Sequence, residues 1–154
     1  MMNIHVIDID GTISDDSWRR HYLIKNPPDY TGYNCGCDLD DPMNHDLVEY
    51  VPETDILLFL TARPRRYREP TERWLYKTFR RASSPNTIIM MRPDGNMNDS
   101  PRLKCDLLRP LLEGNNIQLV ADDREDVLRA MRAEFGDNVG KLLLVRGNNL
   151  RFEL

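Results

Sequence analysis

Five short apolar runs that alternate with helical segments constrain the fold of this chain more than any other feature. The runs predict strands over 3–9, 56–61, 87–91, 117–121 and 141–145. Helices are predicted over 71–81, 100–112 and 124–135, with a short one over 44–51. Strands that alternate with helices predict a parallel sheet covered on both faces, so the expected fold class is a doubly wound α/β domain.

The helix boundaries rest on local signals. Pro70 marks the start of the first long helix, and Ser100-Pro101 supplies a cap and then a proline for the second. Pro110 predicts a break near the end of that second helix. Asp123 is the predicted cap of the third helix, and Gly136 is its predicted terminator.

Size and composition fit a single domain over 1–154. The chain is 40% hydrophobic and 30% charged, which is ordinary for a globular protein. Its longest apolar run, 56–60, is too short to span a membrane, and the amino terminus lacks a signal-peptide pattern. We therefore expect a cytoplasmic protein with no membrane contact. Cys35, Cys37 and Cys105 are expected to be free thiols, with a zinc site at the first two as the alternative.

Residues 14–44 are irregular and rich in Asp, Tyr, Asn, Pro and Gly. This stretch follows the first strand and is too long for an ordinary connection in such a fold. Long loops of this kind are usually functional. The sequence therefore predicts a small cap or lid over the carboxyl ends of the strands.

Charge is distributed unevenly along the chain. The net charge is −4, but segment 63–81 holds eight basic residues and two acidic ones, which makes it +6. A local basic patch beside acidic residues suits an anionic substrate that is engaged beyond one phosphate. A solvated helix face is the alternative, above all for Arg80 and Arg81.

Two carboxylates, Asp8 and Asp10, lie at the end of the first strand in the segment Ile7-Asp8-Ile9-Asp10-Gly11-Thr12. Residues two apart in a strand point the same way, so these side chains are expected to emerge together. Adjacent carboxylates repel each other unless a cation or a shared proton compensates. The segment therefore predicts a magnesium-assisted phosphate site with an aspartyl nucleophile.

Polar residues also follow the other strands. The second strand ends at Thr61 and Arg63 follows it, Lys104 lies in the helix after the third, and Asp122 and Asp123 end the fourth. The carboxyl ends of parallel strands share one edge of the sheet, where ligands bind. A hydroxyl, a guanidinium, an ammonium and carboxylates in one crevice are the groups that phosphoryl transfer needs.

These motifs resemble the haloacid dehalogenase (HAD) superfamily of phosphohydrolases, whose fold is Rossmann-like. Four elements match in order along the chain: Asp8-Ile9-Asp10-Gly11-Thr12, Phe59-Leu60-Thr61, Lys104 and Asp122-Asp123. The resemblance implies that Asp8 forms an aspartyl-phosphate and that Asp10 acts first as acid and then as base, which requires it to begin neutral. It further implies catalysis by Thr61 and Lys104. The implied Mg²⁺ ligands are Asp8, the Asp10 backbone carbonyl, Asp122 and Asp123.

A narrower resemblance is to the 3′-phosphatase domain of bacteriophage polynucleotide kinase. It rests on Thr61-Ala62-Arg63 with the basic segment after it, on Cys37-Asp38-Leu39-Asp40 before Asp41-Pro42-Met43, and on Asp122-Asp123-Arg124. It implies that Arg63 contacts the phosphate. The substrate-binding set is taken as Gly11, Thr12, Thr61, Ala62, Arg63 and Arg66. This chain carries no kinase phosphate-binding loop, because 136–141 is one residue short of that motif and lacks its Ser or Thr.

The resemblance implies Mg²⁺-dependent removal of 3′-phosphates from nucleic-acid ends, with a separate kinase or ligase as a candidate partner in the same repair pathway. Hydrolysis of mononucleotides or small phosphate esters is the alternative. A phosphotransferase and a non-catalytic binding module also stay open. Four aromatic residues of the 14–44 segment either stack on bases or form its own core: Trp18, Tyr22, Tyr30 and Tyr33.

Overall fold

A six-stranded, mostly parallel sheet organises the computed structural model, which describes residues 1–154. The strand order is β5-β4-β1-β6-β7-β8, and only β8 runs antiparallel to its neighbour. The bounds of these strands are β1 Met2–Ile7, β4 Ile56–Pro64, β5 Thr87–Arg92, β6 Asn115–Asp122, β7 Val139–Val145 and β8 Arg151–Glu153. The chain builds the sheet on one side of β1 and then on the other, so β1 lies at the point where ligands bind in such folds.

Helices cover both faces of the sheet, which confirms the predicted α/β class. The helices are α1 Tyr30–Cys35, α2 His45–Glu49, α3 Arg68–Thr78, α4 Ser100–Leu112 and α5 Glu125–Phe135. Side chains alternate along β4: Leu57 and Phe59 pack with α2 and α3, whereas Leu58 and Leu60 pack with α4 and α5. Because both faces are buried, the strands read as continuous apolar runs.

Two strands near the site end at residues other than those predicted. β1 ends at Ile7, before Asp8, whereas the predicted strand ran to residue 9. β4 continues to Pro64, three residues past the predicted end at 61. Arg63 therefore lies within the strand and not beyond it, and Thr61 lies in the strand as predicted. β8 was not predicted.

Four of the predicted helix signals are wrong. α3 begins at Arg68, because Pro70 lies in its first turn, where backbone N–H groups lack helical partners. The cap of α4 is Asp99, whose carboxylate accepts from the Arg102 N–H at 3.1 Å, and Pro110 does not end the helix. Asp123 does not cap α5. Instead, Asp122 Oδ1 accepts from the Arg124 N–H at 2.9 Å.

The 14–44 segment contains short elements only. They are the antiparallel strands β2 (Ser14–Asp15) and β3 (Asp41–Pro42), helix α1, and two 3₁₀ turns at Ser17–Tyr22 and Cys37–Leu39. Its residues line one wall of the cleft at the carboxyl end of the sheet. That the segment acts as a lid stays a prediction. No helix of the chain combines the length and apolar character that crossing a lipid bilayer requires.

Candidate active site

Asp8 sits directly beyond β1 and is held at three points. Its backbone N–H donates to the Ala121 carbonyl of β6 at 2.9 Å. Its carboxylate Oδ1 accepts from Lys104 Nζ at 2.7 Å, and Oδ2 accepts from Thr12 Oγ1 at 2.8 Å. The residue is buried but lines the cleft. Asp8 is therefore oriented before any ligand arrives, as a nucleophile requires.

Lys104 links two strand ends through one ammonium group. Its Nζ donates to Asp122 Oδ2 at 2.6 Å as well as to Asp8. Burial alone would lower the pKa of Lys104, but the carboxylates of Asp122 and Asp8 outweigh burial and raise it. The side chain is thus a fixed positive charge against the carboxylate that faces the cleft.

Three carboxylates form an acidic cluster that fits a divalent cation. Ligand oxygens of Asp8, Asp122 and Asp123 lie within 4.8 Å of one another. Burial and mutual repulsion raise the pKa of both Asp8 and Asp123. Three carboxylates and the Lys104 ammonium sum to a formal charge of −2, and an all-oxygen donor set is what Mg²⁺ prefers. The Asp10 side chain is not in this cluster, so its backbone carbonyl remains the predicted ligand there.

Gly11 makes the approach of Asp123 possible. A Cβ at this position would lie 2.2 Å from Asp123 Oδ2 and 2.7 Å from an Arg20 nitrogen, and the backbone φ is +79°. Both the space and the backbone angle therefore require glycine. The sequence had assigned Gly11 to substrate binding, whereas the geometry gives it a role in admitting this carboxylate.

Asp10 turns away from the acidic cluster and binds two buried arginines. Its Oδ1 accepts from Arg19 Nη2 at 2.6 Å and from Arg63 Nη2 at 2.7 Å, while Oδ2 accepts from Arg63 Nε at 3.1 Å. Burial alone would raise the pKa of Asp10, but the Arg63 and Arg19 guanidiniums outweigh burial and hold it well below its usual range. The expectation that Asp10 begins neutral considered Asp8 and burial but not these arginines, which favour its carboxylate form.

The remaining predicted residues occupy different depths. Thr61 is buried, and its Oγ1 accepts from the Arg63 backbone N–H at 3.1 Å. Ala62 lines the cleft, and its carbonyl accepts from Arg92 Nε at 3.1 Å. Arg66 lies at the rim, with a side chain 52% exposed. Arg81, in contrast, is buried away from the site and donates to backbone carbonyls such as that of Val51, so it belongs neither to the basic patch nor to a solvated helix face.

A cleft of about 1010 Å³ opens above the acidic cluster. The 14–44 segment forms one wall, and the loop 92–100 forms the other. Of the four aromatic residues, Tyr30 and Tyr33 line the cleft. Tyr33 is buried and donates to Asp16, and Trp18 donates to Asp40 at 2.8 Å. Tyr30, which is 57% exposed, is therefore the aromatic side chain available to a ligand in the cleft.

Sequence reasoning missed several residues of the site. Asp40 entered only as part of a motif and Arg19 was not singled out, although both are buried beside Asp10. Arg92 and Arg124, which line the cleft, were missed as well. Cys35 and Cys37 belong to no group of three metal-binding side chains, and all three cysteines are free, so the zinc alternative has no support.

A comparison with known protein families identifies the family of this chain. The family model for the polynucleotide kinase PNKP phosphatase domain matches residues 2–139. The chain belongs to this PNKP phosphatase family. Family membership agrees with the HAD-like fold and supports phosphatase activity.

Solved structures share the fold of this PNKP phosphatase family member. One, the "Structure of the Pnkp1/Rnl/Hen1 RNA repair complex", aligns with a TM-score of 0.72 at 21% identity, over 97% of this chain and 44% of that chain. Another, the "Structure of Pnkp1/Rnl/Hen1 complex", has a TM-score of 0.70 at 21% identity, over 97% of this chain and 48% of that one. The chain thus spans less than half the length of either. No curated protein matches it.

Proposed function

We propose that this protein is a Mg²⁺-dependent phosphomonoesterase that removes 3′-phosphates from nucleic-acid ends through an aspartyl-phosphate on Asp8. The observation that carries the proposal is the setting of Asp8. Lys104 and Thr12 bind its two carboxylate oxygens, the acidic cluster adjoins it, and the chain belongs to the PNKP phosphatase family.

The proposed reaction has two halves. Asp8 attacks phosphorus, the bond to the sugar oxygen breaks, and Asp10 gives that oxygen a proton. Asp10 then takes a proton from water, which attacks the aspartyl-phosphate and releases phosphate with Asp8 restored. Because the two arginines favour the carboxylate form of Asp10, we infer that its proton arrives with the substrate, and the negative charge of a nearby phosphate favours that protonation. Mg²⁺ held by Asp8, Asp122 and Asp123 would neutralise phosphoryl charge.

The cleft supports a substrate larger than a phosphate group. Its volume of about 1010 Å³ exceeds what one phosphate fills, and its lining includes Arg20, Arg66, Arg92 and Arg124. Cations beyond the reacting centre suit the further phosphates of a polynucleotide. The same volume would hold a whole mononucleotide, which keeps small-molecule hydrolysis as the second candidate function. A separate kinase or ligase would act with this protein in a repair pathway.

A hydrolysis panel tests the proposal. Phosphate release is compared for a 3′-phosphorylated DNA oligonucleotide, a 3′-phosphorylated RNA oligonucleotide, 3′-mononucleotides and sugar phosphates. We expect the highest kcat/KM with an oligonucleotide. Faster turnover of mononucleotides or sugar phosphates would refute the polymer assignment, and no turnover of any ester with Mg²⁺ would indicate a non-catalytic module. Phosphate transfer to an added alcohol would reveal a phosphotransferase.

Metal dependence gives a second prediction. Chelation with EDTA should abolish turnover, and Asp123→Asn should raise the Mg²⁺ concentration for half-maximal rate by roughly tenfold or more, because affinity follows ligand charge. The measurement is a Mg²⁺ titration of initial rate, with Mg²⁺-dependent melting temperature as a second readout. Glu125→Gln is the control, since this neighbouring carboxylate is exposed and outside the acidic cluster. If the two variants need the same Mg²⁺ concentration for half-maximal rate, Asp123 is not a metal ligand.

Tyr30 gives a third prediction, on substrate binding. Tyr30→Ala should raise KM for the oligonucleotide by roughly tenfold, because stacking on one base contributes about 1–3 kcal/mol. KM for p-nitrophenyl phosphate should change little. Tyr50→Ala is the matched control, because Tyr50 is 82% exposed and does not line the cleft. A similar KM increase for both substrates would argue against a base-stacking role.

A further inference from the structure

Asp40 is a buried carboxylate that the proposed reaction does not use. Its side chain is 0% exposed. Oδ1 accepts from Arg19 Nε at 2.9 Å and from Trp18 Nε1 at 2.8 Å, and Oδ2 accepts from Arg19 Nη2 at 2.6 Å. A buried charge with this many donors is retained only where its partners compensate the cost of desolvation.

Arg19 transmits the position of Asp40 to the catalytic centre. While its Nε and Nη2 bind Asp40, Nη2 also donates to Asp10 Oδ1 at 2.6 Å, and Nη1 donates to the Tyr33 carbonyl at 2.9 Å. Every nitrogen of this guanidinium therefore has an acceptor. Because the group is planar and rigid, fixing its contact with Asp40 also fixes the nitrogen that meets Asp10.

Arg63 completes a charge-balanced group of four. Its Nη2 lies 2.7 Å from Asp10 Oδ1 and 3.8 Å from Asp40 Oδ2. Two aspartates thus face two arginines, and both arginine side chains are 0% exposed. Without Asp40, two buried guanidiniums would face the single carboxylate of Asp10.

The two oxygens of Asp10 are consequently unequal. Oδ1 receives Nη2 of both arginines, whereas Oδ2 has one partner, Arg63 Nε at 3.1 Å. Oδ2 thus has more lone-pair capacity free than Oδ1, and Asp10 lines the cleft. Arg19 supplies one of the two shortest contacts to Oδ1, so its loss would leave that oxygen held mainly by Arg63.

We propose that Asp40 is a positioning residue, which acts through Arg19 to fix the orientation of the Asp10 carboxylate at the cleft. The proposal rests on the proposed function, since it requires Asp10 to act as acid and base. Asp40 itself is anchored to the core, because its backbone carbonyl accepts from Trp74 Nε1 at 2.9 Å. The acid/base group is therefore positioned by a chain of contacts that begins in α3.

The test compares two leaving groups. The sugar oxygen of a 3′-phosphorylated oligonucleotide has to be protonated as it leaves, whereas p-nitrophenolate leaves as an anion. Asp40→Asn should lower kcat/KM for the oligonucleotide by roughly tenfold or more. This loss is part of the rate enhancement that proton transfer to the leaving oxygen provides. For p-nitrophenyl phosphate the loss in kcat/KM should stay below about threefold. This ratio reports the first half of the reaction, in which p-nitrophenolate leaves without a proton from Asp10. Equal losses for both substrates would overturn the proposal.

Two further variants separate positioning from folding. Trp74→Phe removes the hydrogen bond that anchors the Asp40 backbone but leaves its carboxylate on Arg19, so it should show the same selective loss to a smaller extent. If Asp40→Asn does not fold, Arg19→Lys replaces it, because lysine keeps the charge but cannot bridge Asp40 and Asp10 as a planar fork. That variant should show the same selective loss, and an equal loss would again overturn the proposal. If the wild-type protein does not hydrolyse the oligonucleotide, the proposed substrate is wrong, and a 3′-mononucleotide then supplies the alcohol leaving group.

Discussion

Asp8→Asn is expected to lower the rate of phosphate release by roughly 10⁴-fold or more, since an amide cannot form the aspartyl-phosphate. The fold should persist. The substitution removes one partner of Lys104 but also removes a buried negative charge that Asp122 repels. These two effects oppose each other, so we expect the free energy of unfolding to change by no more than about 1 kcal/mol.

The measurement is single-turnover phosphate release with saturating Mg²⁺, together with thermal melting. Asp137→Asn is the control, because this carboxylate lies in the exposed turn after α5 and should leave the rate unchanged. Denatured wild-type protein quenched during turnover should carry a labile phosphoryl group, and Asp8→Asn should carry none. A variant that kept more than about a hundredth of the wild-type rate would exclude Asp8 as the nucleophile.

Lys104→Met should have the largest effect on stability, a loss of about 3–5 kcal/mol in the free energy of unfolding. The ammonium lies 2.7 Å from Asp8 and 2.6 Å from Asp122, so its removal leaves two buried carboxylates without their shared cation. Phosphate release should fall as well, because the phosphoryl group loses a fixed positive charge. Mg²⁺ should restore part of the stability, since it would bind the same carboxylates.

Urea unfolding of the variant with and without Mg²⁺ gives the measurement. Lys141→Met is the matched control, because Lys141 is exposed on β7 and substitutions at such positions change stability by about 0.5 kcal/mol or less. If Lys104→Met and Lys141→Met unfold at the same urea concentration, Lys104 is not the electrostatic link between the strand ends.

The acidic cluster and Lys104 were predictable because the topology of a parallel sheet brings them together. Asp8, Lys104 and Asp122 come from segments far apart in the chain, yet Asp8 follows β1, Asp122 ends β6, and Lys104 contacts both. In such a sheet those ends meet at one edge, so apolar runs and the residues after them were sufficient. The parallel core strands were predictable because both of their faces are buried, so each strand reads as a continuous apolar run.

The arginine part of the site was not predictable in this way. Arg19 and Asp40 lie in a segment whose elements are two to six residues long and carry no periodic pattern. Their contact depends on how that segment packs onto Arg63 and Trp74, which is tertiary information. The resting charge of Asp10 was missed as a result. β8 was not predicted, because an edge strand of three residues is too short to show a recognisable sequence pattern.

The buried arginine of the 14–44 segment also bears on how a substrate enters. Moving this segment away from the sheet would pull Arg19 from Asp10 and expose charges that are now paired. We therefore expect amide hydrogens of 17–22 to exchange nearly as slowly as those of β1. Under the proposed function, the end of a nucleic acid would then reach Asp8 through the cleft as it stands, without the 14–44 segment moving away from the sheet.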